Sequence, residues 1–312
     1  MSLLKESLRD FFQTKRDWLS FLTILILFLI FWSYNYTYRF VPLFTHALKD
    51  DQIGLSLFYL LFFSAGGLVI YPIALAFYGK LNELKPSLFL ILGSAIVLAF
   101  VCSARIRDSE FFEWLPSSSV GIAMLTVNYV GTILIYAALP LFWIVFRKNS
   151  PNRFVGLNNP PKFGEVLFLL GLMLPLIAIA SFSLSFLSVY PRFAGRLSDG
   201  YLVYPPMIWI ILFEISYAVD FAALETFLRG FMVLPFSERM GSKPAVLGMA
   251  FMYGLLHFTK PQMEALGSFF GGFVLGLISY RTKSVYAGIM IHIGIALAME
   301  LAATLQFLYF ME

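Results

Sequence analysis

Charged residues are scarce in this sequence: Asp, Glu, Lys and Arg make up 13% of its 312 residues, about half the share found in soluble domains. Set against 60% hydrophobic and 18% aromatic residues, that shortage excludes an ordinary water-soluble domain. Long polar stretches are missing too, which leaves room for one embedded body and no second globular domain. Cysteine is nearly absent. The single thiol, Cys102, lies in an apolar run without an intrachain partner, which excludes both a disulfide framework and a cysteine-based metal site. No basic cluster with interleaved aromatics lies outside the apolar runs, so the net charge of +4 does not point to nucleic acid. Basic loops facing anionic lipid account for it.

What is present is a succession of apolar runs. A spanning helix needs about 20 mostly apolar residues, and that template fits at 18–38, 54–79, 86–104, 120–146, 165–190, 207–235, 244–259, 262–281 and 284–310. The expected fold is therefore an all-α integral membrane protein, a polytopic bundle of about nine transmembrane helices. The sixth run is long and the seventh short, so one end there breaks or lies in the interface. The basic first 17 residues precede a run that ends in Trp32-Ser33-Tyr34-Asn35-Tyr36 without a small-residue cleavage site, and read as leading into a retained helix. With the N terminus inside, fourteen Lys and Arg fall in inside segments and seven in outside ones. This bias predicts a cytoplasmic N terminus and an outside C terminus; the expected location is a bacterial cytoplasmic membrane, although the charge count itself does not identify the host.

Ionisable residues within the spans are concentrated after position 207: Glu214, Asp220, Glu225, Arg229, His257, His292 and Glu300. Such groups are expensive in a bilayer and mark functional sites by default. At 100° per residue Glu214, Glu225 and Arg229 share a face, and Glu225 with Arg229 forms an i, i+4 pair; a structural ion pair is the plain alternative. At 1.5 Å per residue, Glu225, His257 and His292 lie ~15, ~20 and ~12 Å from the inside ends of their helices, so they are expected to meet near mid-membrane. His46 lies beside Asp50 and Asp51 and reads as solvated surface. Two histidines and a carboxylate can bind zinc with a position open for water, or the carboxylate can act as base on a water that the histidines hold without metal. No H-E-x-x-H is present, and spacing leaves both readings open. Gly267, Gly271, Gly272 and Gly276 form overlapping G-x-x-x-G patterns that predict tight packing of the eighth helix.

Three stretches resemble one known family. Leu224-Glu225-Thr226-Phe227-Leu228-Arg229-Gly230 is similar to the E-E-x-x-x-R-G of the CPBP intramembrane proteases, which include type II CAAX prenyl proteases and bacteriocin-processing or immunity proteins. Tyr253-Gly254-Leu255-Leu256-His257 is similar to their F-x-x-x-H, and His292-Ile293-Gly294-Ile295-Ala296 to their H-x-x-x-N. The resemblance divides the chain into N-terminal helices at 1–204 of unassigned role, a CPBP-like catalytic region at 205–305 and a tail at 306–312. It implies an intramembrane endopeptidase acting on membrane-associated proteins or peptides, with Glu225 as base, His257 and His292 positioning water, and Arg229 supporting Glu225. This sequence has Leu224 where the family has its first glutamate and Ala296 where it often has asparagine. Asp220, one turn before Leu224, and Glu300, one turn beyond Ala296, are alternative carboxylates. A catalytically impaired relative with an immunity or regulatory role, and a transporter with an intramembrane proton relay, are the competing readings; the latter lacks the internal repeat usual in such folds.

Overall fold

The computed structural model describes residues 2–106, 108–158, 163–196 and 202–310. Arg107 and Lys162, two of the cations counted above, and the last two residues of the tail, Met311 and Glu312, lie outside them. The chain forms two compact units, Met1–Ala104 with Ile135–Pro161 and Glu225–Gly288, and Arg105–Leu134 with Lys162–Leu224 and Ile289–Glu312. Each draws on residues from before and after position 204.

The first unit opens with α1 (Ser2–Phe11), α2 (Lys15–Tyr38), α3 (Phe40–Ala47), α4 (Gln52–Phe77) and α5 (Leu84–Ser103). Helix α2 starts in a capping box: Thr14 accepts from the Asp17 N–H, and the Thr14 N–H donates to Asp17 at 2.8 Å, satisfying otherwise orphaned donors. The other oxygen of Asp17 meets Lys243 Nζ at 2.6 Å and accepts from the Tyr78 hydroxyl at 3.0 Å. Three segments that the charge count assigns to one side of the membrane are thereby tied together. On the opposite side, Gln52 donates to the Ser103 carbonyl at 2.7 Å. Arg281 pairs with Glu6 and Asp10 of α1, while the Phe11 ring packs edge-on against Phe273 at 5.0 Å.

The later part of this unit holds a π turn, α10 (Leu234–Met240), α11 (Ser242–Leu256) and α12 (Gln262–Thr282). Every residue from Pro244 to Leu255 is buried, because α11 packs against α2, α4, α10 and α12. Small residues permit this approach: a Cβ at Gly248 would lie 2.2 Å from the Tyr71 ring, and one at Gly254 2.3 Å from Phe28. On α12, Gly272 and Gly276 face Tyr253 and Met249, whereas Gly267 and Gly271 face open space among the described residues. The tight-packing expectation thus holds for one of the overlapping glycine pairs.

The second unit contains α7 (Phe163–Ala180), α8 (Leu184–Leu187), α9 (Met207–Glu225, to Leu224) and most of α13 (Tyr286–Phe310), together with the first part of α6 (Ser117–Phe146). Ile122, Phe213, Tyr217 and Ala296 form its core. A two-residue antiparallel pairing, β1 (Gly195–Arg196) with β2 (Leu202–Val203), is the one strand pair among the described residues of this otherwise helical fold. Ile208, Ile211, Leu212, Ile215 and Val219 leave an exposed apolar stripe along α9 at helical spacing, as a lipid-facing surface requires.

Seven described helices are long and apolar enough to cross a membrane. Two of the expected spans end earlier than their apolar runs, the fifth and the seventh. The fifth ends at Ala180, where Ser181 and Ser183 hydrogen-bond the carbonyls of Ala178 and Ala180 and Ser183 then caps α8; hydroxyls offered to the backbone compete with helix continuation. The seventh is α11, whose 15 residues extend about 22 Å, less than the hydrocarbon thickness of about 30 Å.

Candidate active site

The sixth expected span is not one regular helix. Helix α9 ends at Glu225, a π turn occupies Thr226–Phe231, and the Met232 N–H donates to the Phe227 carbonyl at 2.9 Å. π turns are rare and recur at functional sites. Arg229 Nη1 donates to Glu225 Oε1 at 2.7 Å, and both side chains are wholly buried. Two glycines make room for this turn. A Cβ at Gly230 would lie 2.5 Å from the Val155 carbonyl, and one at Gly288 would lie 2.0 Å from Glu225 Oε2. The motif glycine after Arg229 is therefore a close-approach residue, and Gly288 forms one wall of the carboxylate's seat.

Tyr253 links this pair to His257. The Arg229 guanidinium lies over the Tyr253 ring at 4.4 Å, and the same ring meets the His257 imidazole edge-on at 4.6 Å. Arg229 Nε and Nη2 have no hydrogen-bond partner among the described residues, so the π face bears part of the guanidinium's charge. His257 Nδ1 is 3.0 Å from the Tyr253 carbonyl. A carbonyl only accepts, so Nδ1 carries the proton and Nε2 of the neutral ring is left as an acceptor. That tautomer suits holding a water or acting on a proton.

His257 caps α11 instead of lying within it, because the chain turns here and α2 holds the turn. Asn35 Nδ2 donates to the Phe258 carbonyl at 2.9 Å, while its Oδ1 accepts from the Val41 N–H at 2.9 Å. The Tyr36 hydroxyl donates to the Lys260 carbonyl at 2.7 Å, and Trp32 Nε1 donates to the Gln262 carbonyl at 3.0 Å. Sequence reasoning missed Asn35, Tyr36, Tyr253 and Gly288 as contributors. The signals were an asparagine at the polar end of an aromatic run, a tyrosine at a motif position where the family has phenylalanine, and a glycine one turn before His292.

The other residues singled out lie in the second unit. The half-buried His292 ring stacks on Phe221, with centroids 5.2 Å apart and planes 11° apart. Asp220 accepts from the Thr132 hydroxyl at 2.5 Å. Glu300 accepts from the Arg192 N–H at 2.7 Å and so anchors the segment leading into the β pair. Leu224 is buried, and Ala296 belongs to the apolar core. Glu214 is half-buried on α9.

The donor set bears on zinc. Glu225 Oε1 faces a guanidinium at 2.7 Å, and among the described residues no three His, Cys, Asp or Glu side chains are grouped as a metal requires.

No curated protein and no solved structure matches the chain. A family model does: residues 205–298, just under a third of the sequence, match that of the type II CAAX prenyl endopeptidase Rce1-like proteins. The matched stretch contains the π turn with Glu225 and Arg229, the Tyr253–His257 pair and His292, and the match over 205–298 is consistent with the resemblance to the CPBP membrane-protease family.

Proposed function

We propose that this protein is an intramembrane endopeptidase that hydrolyses a peptide bond in a membrane-associated protein or peptide. Residues 205–305 carry the reacting groups, and the helices before them supply packing. Glu225 takes a proton from water, His257 and His292 orient that water, and Arg229 holds Glu225 in place. The hydroxide adds to the scissile carbonyl; the tetrahedral intermediate collapses as the proton passes to the departing amine. No metal is needed in this scheme. The observation that carries it is the buried Glu225–Arg229 pair at a π turn, joined through Tyr253 to a histidine whose Nε2 is an acceptor. The excess of basic residues in the loops sharing the N-terminal side supports a cytoplasmic N terminus.

A second reading is favoured by Leu224 and by the complete burial of Glu225: a relative that has lost hydrolysis and uses the same region for binding in an immunity or regulatory role. One experiment separates the two. Purified wild type and Glu225→Gln are incubated with membrane-protein and prenylated-peptide pools, and new termini are identified by mass spectrometry. Cleavages made by wild type alone establish the protease and disclose its substrate class. Identical patterns from two folded proteins favour the non-catalytic reading. Chelation with 1,10-phenanthroline leaves cleavage unchanged under the metal-free scheme; loss restored by zinc would assign His257, His292 and Glu225 to a metal instead.

A further inference from the structure

Helix α6 ends at Phe146, and the turn that follows has a chemistry the proteolytic site does not use. Arg147, Lys148 and Asn149 are exposed and, together with Glu238 of α10, line a cavity of about 380 Å³. Neither cation forms an ion pair among the described residues; Arg147 lies over the Trp143 ring at 5.1 Å.

Two features would ordinarily repel an anion here, and both are already answered. The carbonyl end of α6 carries partial negative charge, but Arg153 Nε donates to the Ile144 carbonyl at 3.0 Å. The Glu238 carboxylate is turned into the loop, where one oxygen accepts from the Ser150 hydroxyl at 2.6 Å, the Asn152 N–H at 3.1 Å and Asn152 Nδ2 at 2.9 Å. Three cations against one carboxylate leave the turn with a surplus of two positive charges.

The surface leading to this turn is apolar. Leu141, Phe142, Val145 and Phe146 lie on one face of the last turns of α6, and each is at least half exposed. The Phe142 and Phe146 rings are 4.7 Å apart. An apolar wall that ends in two exposed cations without an ion pair among the described residues matches an acyl chain that ends in a phosphate. A zwitterionic headgroup would satisfy the phosphate site while adding an unmatched cation. From this arrangement we infer that the turn after α6 is a binding site for an anionic phospholipid, with the phosphate held by Arg147, Lys148 and Asn149 and the chains lying along Phe142 and Phe146. The positive-inside count assigns this turn to the cytoplasmic leaflet, where anionic lipids attract basic segments.

Native mass spectrometry of the full chain in mild detergent, titrated with phosphatidylglycerol or phosphatidylcholine, tests this. Each basic residue near a membrane surface is worth about 1 kcal/mol, so Arg147→Gln with Lys148→Gln weakens phosphatidylglycerol retention by about 30-fold and phosphatidylcholine retention by a smaller factor, removing the preference for the anionic lipid. The exchange Arg147→Lys with Lys148→Arg preserves the preference. Phe142→Ser lowers retention of the lipid, and excess inorganic phosphate does not displace it. Equal phosphatidylglycerol retention by wild type and the double Gln variant would overturn the site. So would equal retention of the two lipids by wild type, and displacement by phosphate combined with indifference to Phe142→Ser would reassign the turn to a free anion.

Discussion

Glu225 and Arg229 are enclosed together, so a change at either is felt as an uncompensated group at the other. Arg229→Gln leaves a buried carboxylate without its guanidinium, a loss of about 3–5 kcal/mol by comparison with other broken buried pairs. A large fall in the midpoint of thermal unfolding in detergent is the expected result. Glu225→Gln retains a neutral acceptor for Arg229 and leaves the cation over Tyr253, so its midpoint falls as well, and cleavage is lost. Gly288→Ala separates geometry from stability. The new Cβ would sit 2.0 Å from Glu225 Oε2, and a flexible carboxylate can move aside at little cost to the fold. Displacement of a reacting group by about 1 Å can cost 10²-fold in rate. We expect an unfolding midpoint near that of wild type and cleavage reduced by about that factor, both read on the same preparation. Ala296→Asn tests the other motif departure and is expected to leave cleavage equal or faster, measured as initial rate on the same substrate.

At the scale of single elements, the sequence exposes some features of the site and conceals others. The i, i+4 relation of Glu225 and Arg229 is visible in the spacing and is realised at 2.7 Å. The π turn that contains Arg229 is not visible, because one extra residue per turn leaves no mark on hydrophobic composition. A helical wheel drawn at 100° per residue therefore fails beyond Glu225. The same limit applies to His257: composition continues its apolar run to 259, while the hydrogen bonds that end α11 at Leu256 come from α2, more than two hundred residues earlier. Asn35 is the central residue of that tether, donating to one carbonyl and accepting from one N–H. Asn35→Leu keeps the volume but orphans both backbone groups, each costing about 1–3 kcal/mol when buried. Faster amide hydrogen exchange across residues 257–260, with little change in α12, is the expected signature. Uniform acceleration throughout the first unit would mean that Asn35 supports the unit as a whole and not the His257 turn.

Over the whole chain, the membrane class and most of the spans follow from apolar length alone, since a lipid-facing helix and its sequence obey the same requirement. Burial in protein and burial in lipid favour the same residues, and for that reason the sequence of α11 reads as the seventh of nine membrane-crossing runs, whereas α11 is a 15-residue helix packed within the first unit. Its surroundings carry a consequence for how the Rce1-like region can exist. The matched stretch begins at 205, yet α11 is covered by α2 and α4, its glycines receive Tyr71 and Phe28, and its first turn is held by Asp17 through Lys243. Bundles of helices in lipid lack a hydrophobic drive toward one another and depend on such close packing and polar ties. A fragment of residues 205–312 is therefore expected to insert without reaching a stable fold, aggregating on size-exclusion chromatography in detergent, whereas co-expression with residues 1–204 restores a monodisperse complex that cleaves. Should the fragment alone be monodisperse and active, the earlier helices would serve some purpose other than packing around α11, and the polar ties from Asp17, Asn35 and Tyr36 would be dispensable to the site.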